Sequence, residues 1–202
     1  MKKNPLLIYL HGLNSAPQSE KAQRVKNYIE AQSLAVDYWI PKLPHWPKHV
    51  RTCLLGRILP EAKQRPILII GSSLGGFFGT WLQAYLQNHR PKSKPRLVLV
   101  NPAAEPFRLF ENYLGPQQNT YTSEHWELTM KHVEQLRAME VKILFHPESR
   151  LLLAQTGDET LDYQLAMKKY AGSPHIIQEG GSHAFDHFDT VLPDIFSFLL
   201  AH

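Results

Sequence analysis

Ile67-Leu68-Ile69-Ile70-Gly71-Ser72-Ser73-Leu74-Gly75-Gly76 places an apolar run in front of a Gly-x-Ser-x-Gly turn, and a helix-like segment, 76–88, follows. A short apolar run ending in a glycine turn reads as a buried strand, and strand, turn and helix in that order present a serine as a nucleophile. Such a turn strains the serine backbone and brings neighbouring segments close, so glycine at both flanking positions relieves the clashes. Ser73 has Gly71 and Gly75 there, whereas Ser72 has Ile70 and Leu74, which makes Ser73 the candidate nucleophile. At ordinary glycine and serine abundance the pattern arises by chance roughly 0.07 times in a chain of this size, before a strand and a helix are required around it. The competing reading is a packing turn or a phosphate cradle at a helix N-terminus. The Lys-Ser/Thr ending of a P-loop and the glycine spacing of a dinucleotide fingerprint are both missing.

Outward from this turn, short apolar runs alternate with helix-like segments. The runs are 6–10, 35–40, 67–70, 97–100, 151–154 and, more weakly, 175–178; the helical segments are 19–33, 50–62, 76–88, 161–171 and 190–202. This alternation predicts right-handed crossovers and a mostly parallel sheet of about six strands with helices on both faces. Segment 103–140 holds more chain than one crossover helix needs. It contains Phe107-Arg108-Leu109-Phe110, a Gly115-Pro116 turn and a helical stretch expected over 123–139. A small helical cap and an ordinary crossover with a long loop both satisfy that pattern. No internal repeat and no domain boundary is visible, so the expectation is one domain over 1–202 with 103–140 as a cap insertion.

A serine hydroxyl needs a base to take its proton, and an acid to hold that base in the right tautomer. His183 lies in the glycine-rich stretch Glu179-Gly180-Gly181-Ser182-His183-Ala184-Phe185, just past the last strand candidate; Asp158 follows the 151–154 strand and the turn at Gly157. The order Ser, Asp, His is that of α/β-hydrolases. Asp162 stands where a helix begins, which suits a cap, and Asp186 falls after the histidine. For a developing oxyanion the expected donors are the backbone N–H of Leu74, after the serine, and that of Leu13, in Leu10-His11-Gly12-Leu13-Asn14-Ser15 after the first strand. His11 is expected to orient that loop. Trp46, in the proline-punctuated stretch 41–47, and Phe107, Phe110 and Trp126 are candidate pocket residues.

Metal chemistry is not expected. His183 and His187 are four apart, as are His45 and His49, but no Glu follows the first His of either pair, and Pro47 interrupts the second.

Taken together these residues resemble the small bacterial α/β-hydrolase-fold esterases of the YqiA type. The similarity rests on Tyr9-Leu10-His11-Gly12-Leu13-Asn14-Ser15-Ala16-Pro17, Ile40-Pro41-Lys42-Leu43-Pro44, Gly71-Ser72-Ser73-Leu74-Gly75-Gly76, Val100-Asn101-Pro102-Ala103, Gln155-Thr156-Gly157-Asp158-Glu159 and Glu179-Gly180-Gly181-Ser182-His183-Ala184-Phe185. It implies a three-layer α/β/α hydrolase fold and serine esterase activity on acyl esters or thioesters without a cofactor. Ser73, Asp158 and His183 fall on the catalytic positions. Larger esterases of this fold begin with an antiparallel hairpin for which there is no room before Leu6, so a trimmed sheet is expected. Segments 84–95 and 141–150 match least well. A non-catalytic small-molecule binding or protein-interaction module on the same fold is the alternative.

Composition narrows the setting. The 202 residues are 43% hydrophobic and 20% charged, an ordinary globular balance that excludes disorder and collagen. Lone Cys53 cannot form an internal disulfide and suits a reducing, cytoplasmic environment. The net charge of +4 draws on a cluster at Arg90, Lys92, Lys94 and Arg96, which Pro91 and Pro95 mark as a loop. No helix-turn-helix, zinc-finger or RRM signature accompanies it, so no nucleic-acid partner is expected. No run approaches the ~18 apolar residues of a spanning helix, and the five-residue run 6–10 is too short for a signal peptide.

Overall fold

A computed structural model describes residues 3–93 and 95–201; Lys94 of the basic cluster and His202 of the last helix candidate lie outside the described residues. In chain order the elements are β1 (Leu6–Leu10), α1 (Glu20–Ala31), β2 (Asp37–Trp39), α2 (Pro47–Glu61), β3 (Ile67–Ser72), α3 (Leu74–His89), β4 (Arg96–Val100), α4 (Pro106–Phe110), β5 (Gly115–Gln118), β6 (His125–Leu128), α5 (Met130–Ala138), β7 (Arg150–Gln155), α6 (Tyr163–Lys169), β8 (His175–Gln178) and α7 (Leu192–Leu200). Six strands form one sheet in the order β2-β1-β3-β4-β7-β8, each neighbouring pair parallel.

Side chains that alternate along each strand divide the sheet into two faces with separate cores. On one face Leu6, Ile8, Leu10, Ile67, Ile69, Leu97 and Leu99 meet Val50, Leu54 and Ile58 of α2 and Phe77, Phe78 and Leu82 of α3. On the other, Leu7, Tyr9, Leu68, Ile70, Val98 and Val100 meet Val25 and Ile29 of α1 and Ile195, Phe196 and Leu199 of α7. Strands buried on both sides are apolar throughout, which is why β1 reads as five consecutive buried residues. Edge strand β2 is shorter than the expected 35–40 and only half-buried: Asp37 is exposed, Tyr38 and Trp39 pack partly against the two cores, and Pro41 ends the run.

The chain steps from β1 outward to β2, then returns past β1 to β3 and continues to β8. Reversal of direction moves the crossover helices to the opposite face and opens a crevice between the carboxyl ends of β1 and β3. The loops beginning at His11 and at Ser73 leave the sheet at that crevice.

Segment 103–140 corrects the expected helical cap. It holds α4, an antiparallel hairpin of β5 and β6, and α5. The helix expected over 123–139 begins only at Met130, because residues 125–128 alternate outward and inward and Trp126 and Leu128 are turned toward the protein. Asn119 shapes the hairpin turn: its side-chain oxygen accepts the N–H groups of Tyr121 (2.9 Å) and Thr122 (3.0 Å).

Candidate active site

Ser73 stands between β3 and α3 with φ +54° and ψ −123°, a conformation that L-residues rarely adopt. The flanking glycines make it sterically possible. A Cβ on Gly71 would lie 2.5 Å from the Gly75 carbonyl oxygen, and one on Gly75 would lie 1.9 Å from the Leu10 carbonyl oxygen. Backbone bonds fix the turn further, with Ser73 N–H donating to Val100 (3.0 Å) and Ala103 N–H donating to Ser73 (3.0 Å).

The structure brings the three predicted residues together. The Ser73 hydroxyl lies 3.0 Å from Nε2 of His183, and Nδ1 of His183 lies 2.8 Å and 3.0 Å from the two Asp158 carboxylate oxygens. With Nδ1–H donating to the carboxylate, Nε2 presents its lone pair to the serine hydroxyl. Asp158 is buried while the imidazole remains partly open to the cavity above it. Burial pushes the Asp158 carboxyl up, but the His183 ring and the N–H groups of Leu161 (2.8 Å) and Thr160 (2.9 Å) outweigh it, and the acid lies below its ordinary range.

Residues that sequence patterns did not single out hold the histidine loop. Asn101, at the end of β4, donates through Nδ2 to the carbonyls of Ser182 (2.9 Å) and His183 (3.2 Å) and accepts the Gln155 N–H through Oδ1 (3.0 Å). Buried Gln155, at the end of β7, accepts the N–H groups of Ser182 (3.0 Å) and Asp186 (2.8 Å) and donates to the Asp186 carbonyl (2.9 Å). Glu159 accepts the His183 N–H (2.9 Å), and Lys21 donates to the Ala184 carbonyl (2.7 Å). The available signal was position: polar side chains at the carboxyl ends of parallel strands face the crevice.

The expected donors, the N–H groups of Leu13 and Leu74, belong to residues that border the same cavity as Ser73. Leu74 begins α3, where a helix N–H has no intrahelical partner, and among the described residues neither group donates a hydrogen bond. His11 is buried and orients its loop as expected, its Nδ1 bonding the Gly12 carbonyl (3.0 Å) and its Nε2 accepting the Leu43 N–H (3.3 Å).

A cavity of about 790 Å³ opens over Ser73 and His183. Its lining combines the apolar Leu109, Phe110, Tyr113, Tyr121 and Leu161 with the polar Ser15, Glu20, Lys21, Arg24 and Asp186. Behind the Leu13 loop is a second space of about 50 Å³, lined by Phe110, Trp126, His45 and His132 among others. Of the four candidate pocket residues, Phe110 lines both spaces and Trp126 the smaller. Trp46 and Phe107 line neither, which corrects that expectation. Trp46 precedes α2 and stacks on His132 with ring centroids 3.7 Å apart, whereas Phe107 is buried in the core beneath the Arg137 guanidinium. Among the described residues no group of three or more His, Cys, Asp or Glu side chains is arranged to hold a metal ion, and no helix is long and apolar enough to cross a membrane.

Sheet order, nucleophile turn and crevice define an α/β-hydrolase-fold protein, and solved structures of that fold match almost the whole chain. Est1E from Butyrivibrio proteoclasticus, with ferulic acid bound, matches with a TM-score of 0.75 at 18% identity over 99% of this chain and 90% of its own. A protein of Agrobacterium vitis S4 gives 0.74 at 18% over 98% and 89%, and the esterase domain of a Rhodothermus marinus protein gives 0.64 at 13% over 96% and 86%. The chain belongs to the uncharacterised protein family UPF0227, the YqiA-type group that its sequence resembles, whose model matches residues 6–200.

Proposed function

We propose that the protein is a serine hydrolase of carboxylic esters or thioesters that works through an acyl-enzyme. The observation carrying this reading is the continuous line of hydrogen bonds from Ser73 through His183 to Asp158 at the floor of a substrate-sized cavity. His183 Nε2 takes the Ser73 proton as the oxygen attacks the acyl carbonyl, and the same nitrogen returns a proton to the departing alcohol or thiol. Asp158 stabilises the imidazolium, and the Leu13 and Leu74 N–H groups hold the developing oxyanion. Water, activated by His183 in turn, releases the acid. No step calls for a cofactor or metal. Segment 103–140 acts as a cap whose Leu109, Phe110, Tyr113 and Tyr121 give the acyl group its apolar wall, and the chain works as one unit. The unpaired Cys53 fits a cytoplasmic setting.

A fluorophosphonate probe tests the assignment. It is expected to label wild type on Ser73, while Ser73→Ala, folded to the same melting temperature, takes no label and loses ester turnover by several orders of magnitude. Labelling that survives the substitution overturns the role given to Ser73. A panel of p-nitrophenyl esters and acyl-CoA thioesters, run on both proteins, then separates ester from thioester preference.

A further inference from the structure

The loop carrying Leu13 is held from the cap side by four hydrogen bonds, all to Asn14 and Ser15. Asn14 Oδ1 accepts Trp126 Nε1–H (2.9 Å), and its Nδ2 donates to Gln117 Oε1 (2.9 Å). The Asn14 carbonyl accepts the Thr120 N–H (2.7 Å), and the Ser15 carbonyl accepts Asn119 Nδ2 (2.8 Å). Every hairpin partner lies on β5, on β6 or in the turn between them. Asn14 itself has φ +52°, a strained conformation that persists where surroundings over-determine it. The hairpin is in turn braced on the segment before α2, with the Trp126 ring stacked on His45 at 5.0 Å.

From this arrangement, and resting on the hydrolase reading above, we infer that the hairpin is a strut that positions the Leu13 oxyanion donor, with Trp126 and Asn14 as its positioning residues. Trp126 does not border the main cavity, so its effect reaches the reaction through the loop rather than through substrate contact. An oxyanion donor acts where charge develops in the transition state, so loosening it lowers kcat and leaves KM nearly unchanged. Complete loss of one such donor costs ~10²–10³ in kcat; a loosened loop that still visits the right position is expected to cost roughly tenfold.

Trp126→Phe keeps a ring toward His45 and removes the N–H to Asn14 together with part of the indole. Expected are a kcat about tenfold down per fluorophosphonate-titrated site, a KM within about twofold of wild type, and a slower rate of Ser73 phosphonylation by the same factor. Asn14→Asp, which tolerates the same backbone conformation and keeps the acceptor for Trp126, is expected to retain most of the rate, while Asn14→Gly falls to the Trp126→Phe level. Normalising to titrated sites removes any loss caused by unfolding. A normalised kcat within twofold of wild type in Trp126→Phe, or a loss confined to KM, overturns the strut. Wild type that is neither labelled nor active overturns the hydrolase reading and the strut with it.

Discussion

The Cα of Gly12 lies against Ser73: a Cβ there would stand 3.1 Å from Ser73 Cβ and 3.5 Å from Ser73 Oγ. Gly12 has an ordinary φ, so Gly12→Ala adds crowding without backbone strain. The neighbour that must yield a few tenths of an ångström is Ser73 Cβ, the carbon that carries the hydroxyl. Turnover is expected to fall at least tenfold in Gly12→Ala, because small misplacements of reacting groups cost up to ~10², while the urea midpoint changes little; steady-state kinetics beside a urea titration checks both. Asp158 gives a second test. Its carboxyl has a folded pKa below the unfolded value, since hydrogen bonds to the ionised form outweigh burial, so its contribution to stability is complete above the usual carboxylate pKa and vanishes as pH falls through the folded value. Asp158→Asn is therefore expected to be less stable than wild type at neutral pH and to converge with it below about pH 4, measured by urea unfolding across that range. Activity should drop by ~10³–10⁴ at neutral pH, because the amide favours the wrong His183 tautomer.

At the scale of elements, Asn101 joins three strand ends: it bonds the loop after β8, caps the β7 end through the Gln155 N–H, and donates its own N–H to Leu153 (2.9 Å). Asn101→Ala leaves the buried Gln155 N–H and the His183 carbonyl without their Asn101 partner, while the Ser182 carbonyl keeps the Phe185 N–H (3.0 Å), at about 1–3 kcal/mol for an unsatisfied buried group. The expected result is a destabilisation of that size in urea and a kcat loss larger than in any surface alanine variant, since the loop carrying His183 then loses both of its bonds to the Asn101 side chain. The central strands and their helices were legible in the sequence because burial on both faces leaves an unbroken apolar run that no loop mimics. Ser73, His183 and Asp158 were legible because glycine turns and chain order mark them. The hairpin was not, since β5 reads Gly-Pro-Gln-Gln with no apolar alternation and owes its place to the bonds with Asn14 and Ser15. Nor were Asn101, Gln155 and Glu159, whose roles exist only once β4, β7 and the histidine loop are side by side.

Across the whole molecule, the join between segment 103–140 and the sheet is lined by imidazoles. His11 on the β1 loop, His45 before α2 and His132 on α5 all border the small space behind the loop that carries Leu13. His132 accepts the Thr129 N–H on Nδ1 (3.1 Å), and His11 accepts the Leu43 N–H on Nε2, contacts made by neutral rings. Burial is the main reason that all three titrate below the ordinary imidazole value; His45 also feels Glu124, which opposes the shift, and His49, which adds to it, and the mutual repulsion of His45 and His132 further lowers His132. The unfolded chain therefore binds more protons than the folded one once pH drops below about 6.5, and stability must decline from there toward the lower folded values. This window lies well above the one in which Asp158 acts, so the two are separable in one experiment. Urea midpoints measured from pH 8 to pH 5 are expected to hold steady above about pH 7 and to fall below it. His132→Asn, which takes one buried imidazole out of the balance, should flatten the decline. A midpoint that is constant or rises between pH 7 and pH 5 would show that these rings gain protons as readily inside the fold as outside it, and that segment 103–140 is joined to the sheet without an acid-sensitive seam.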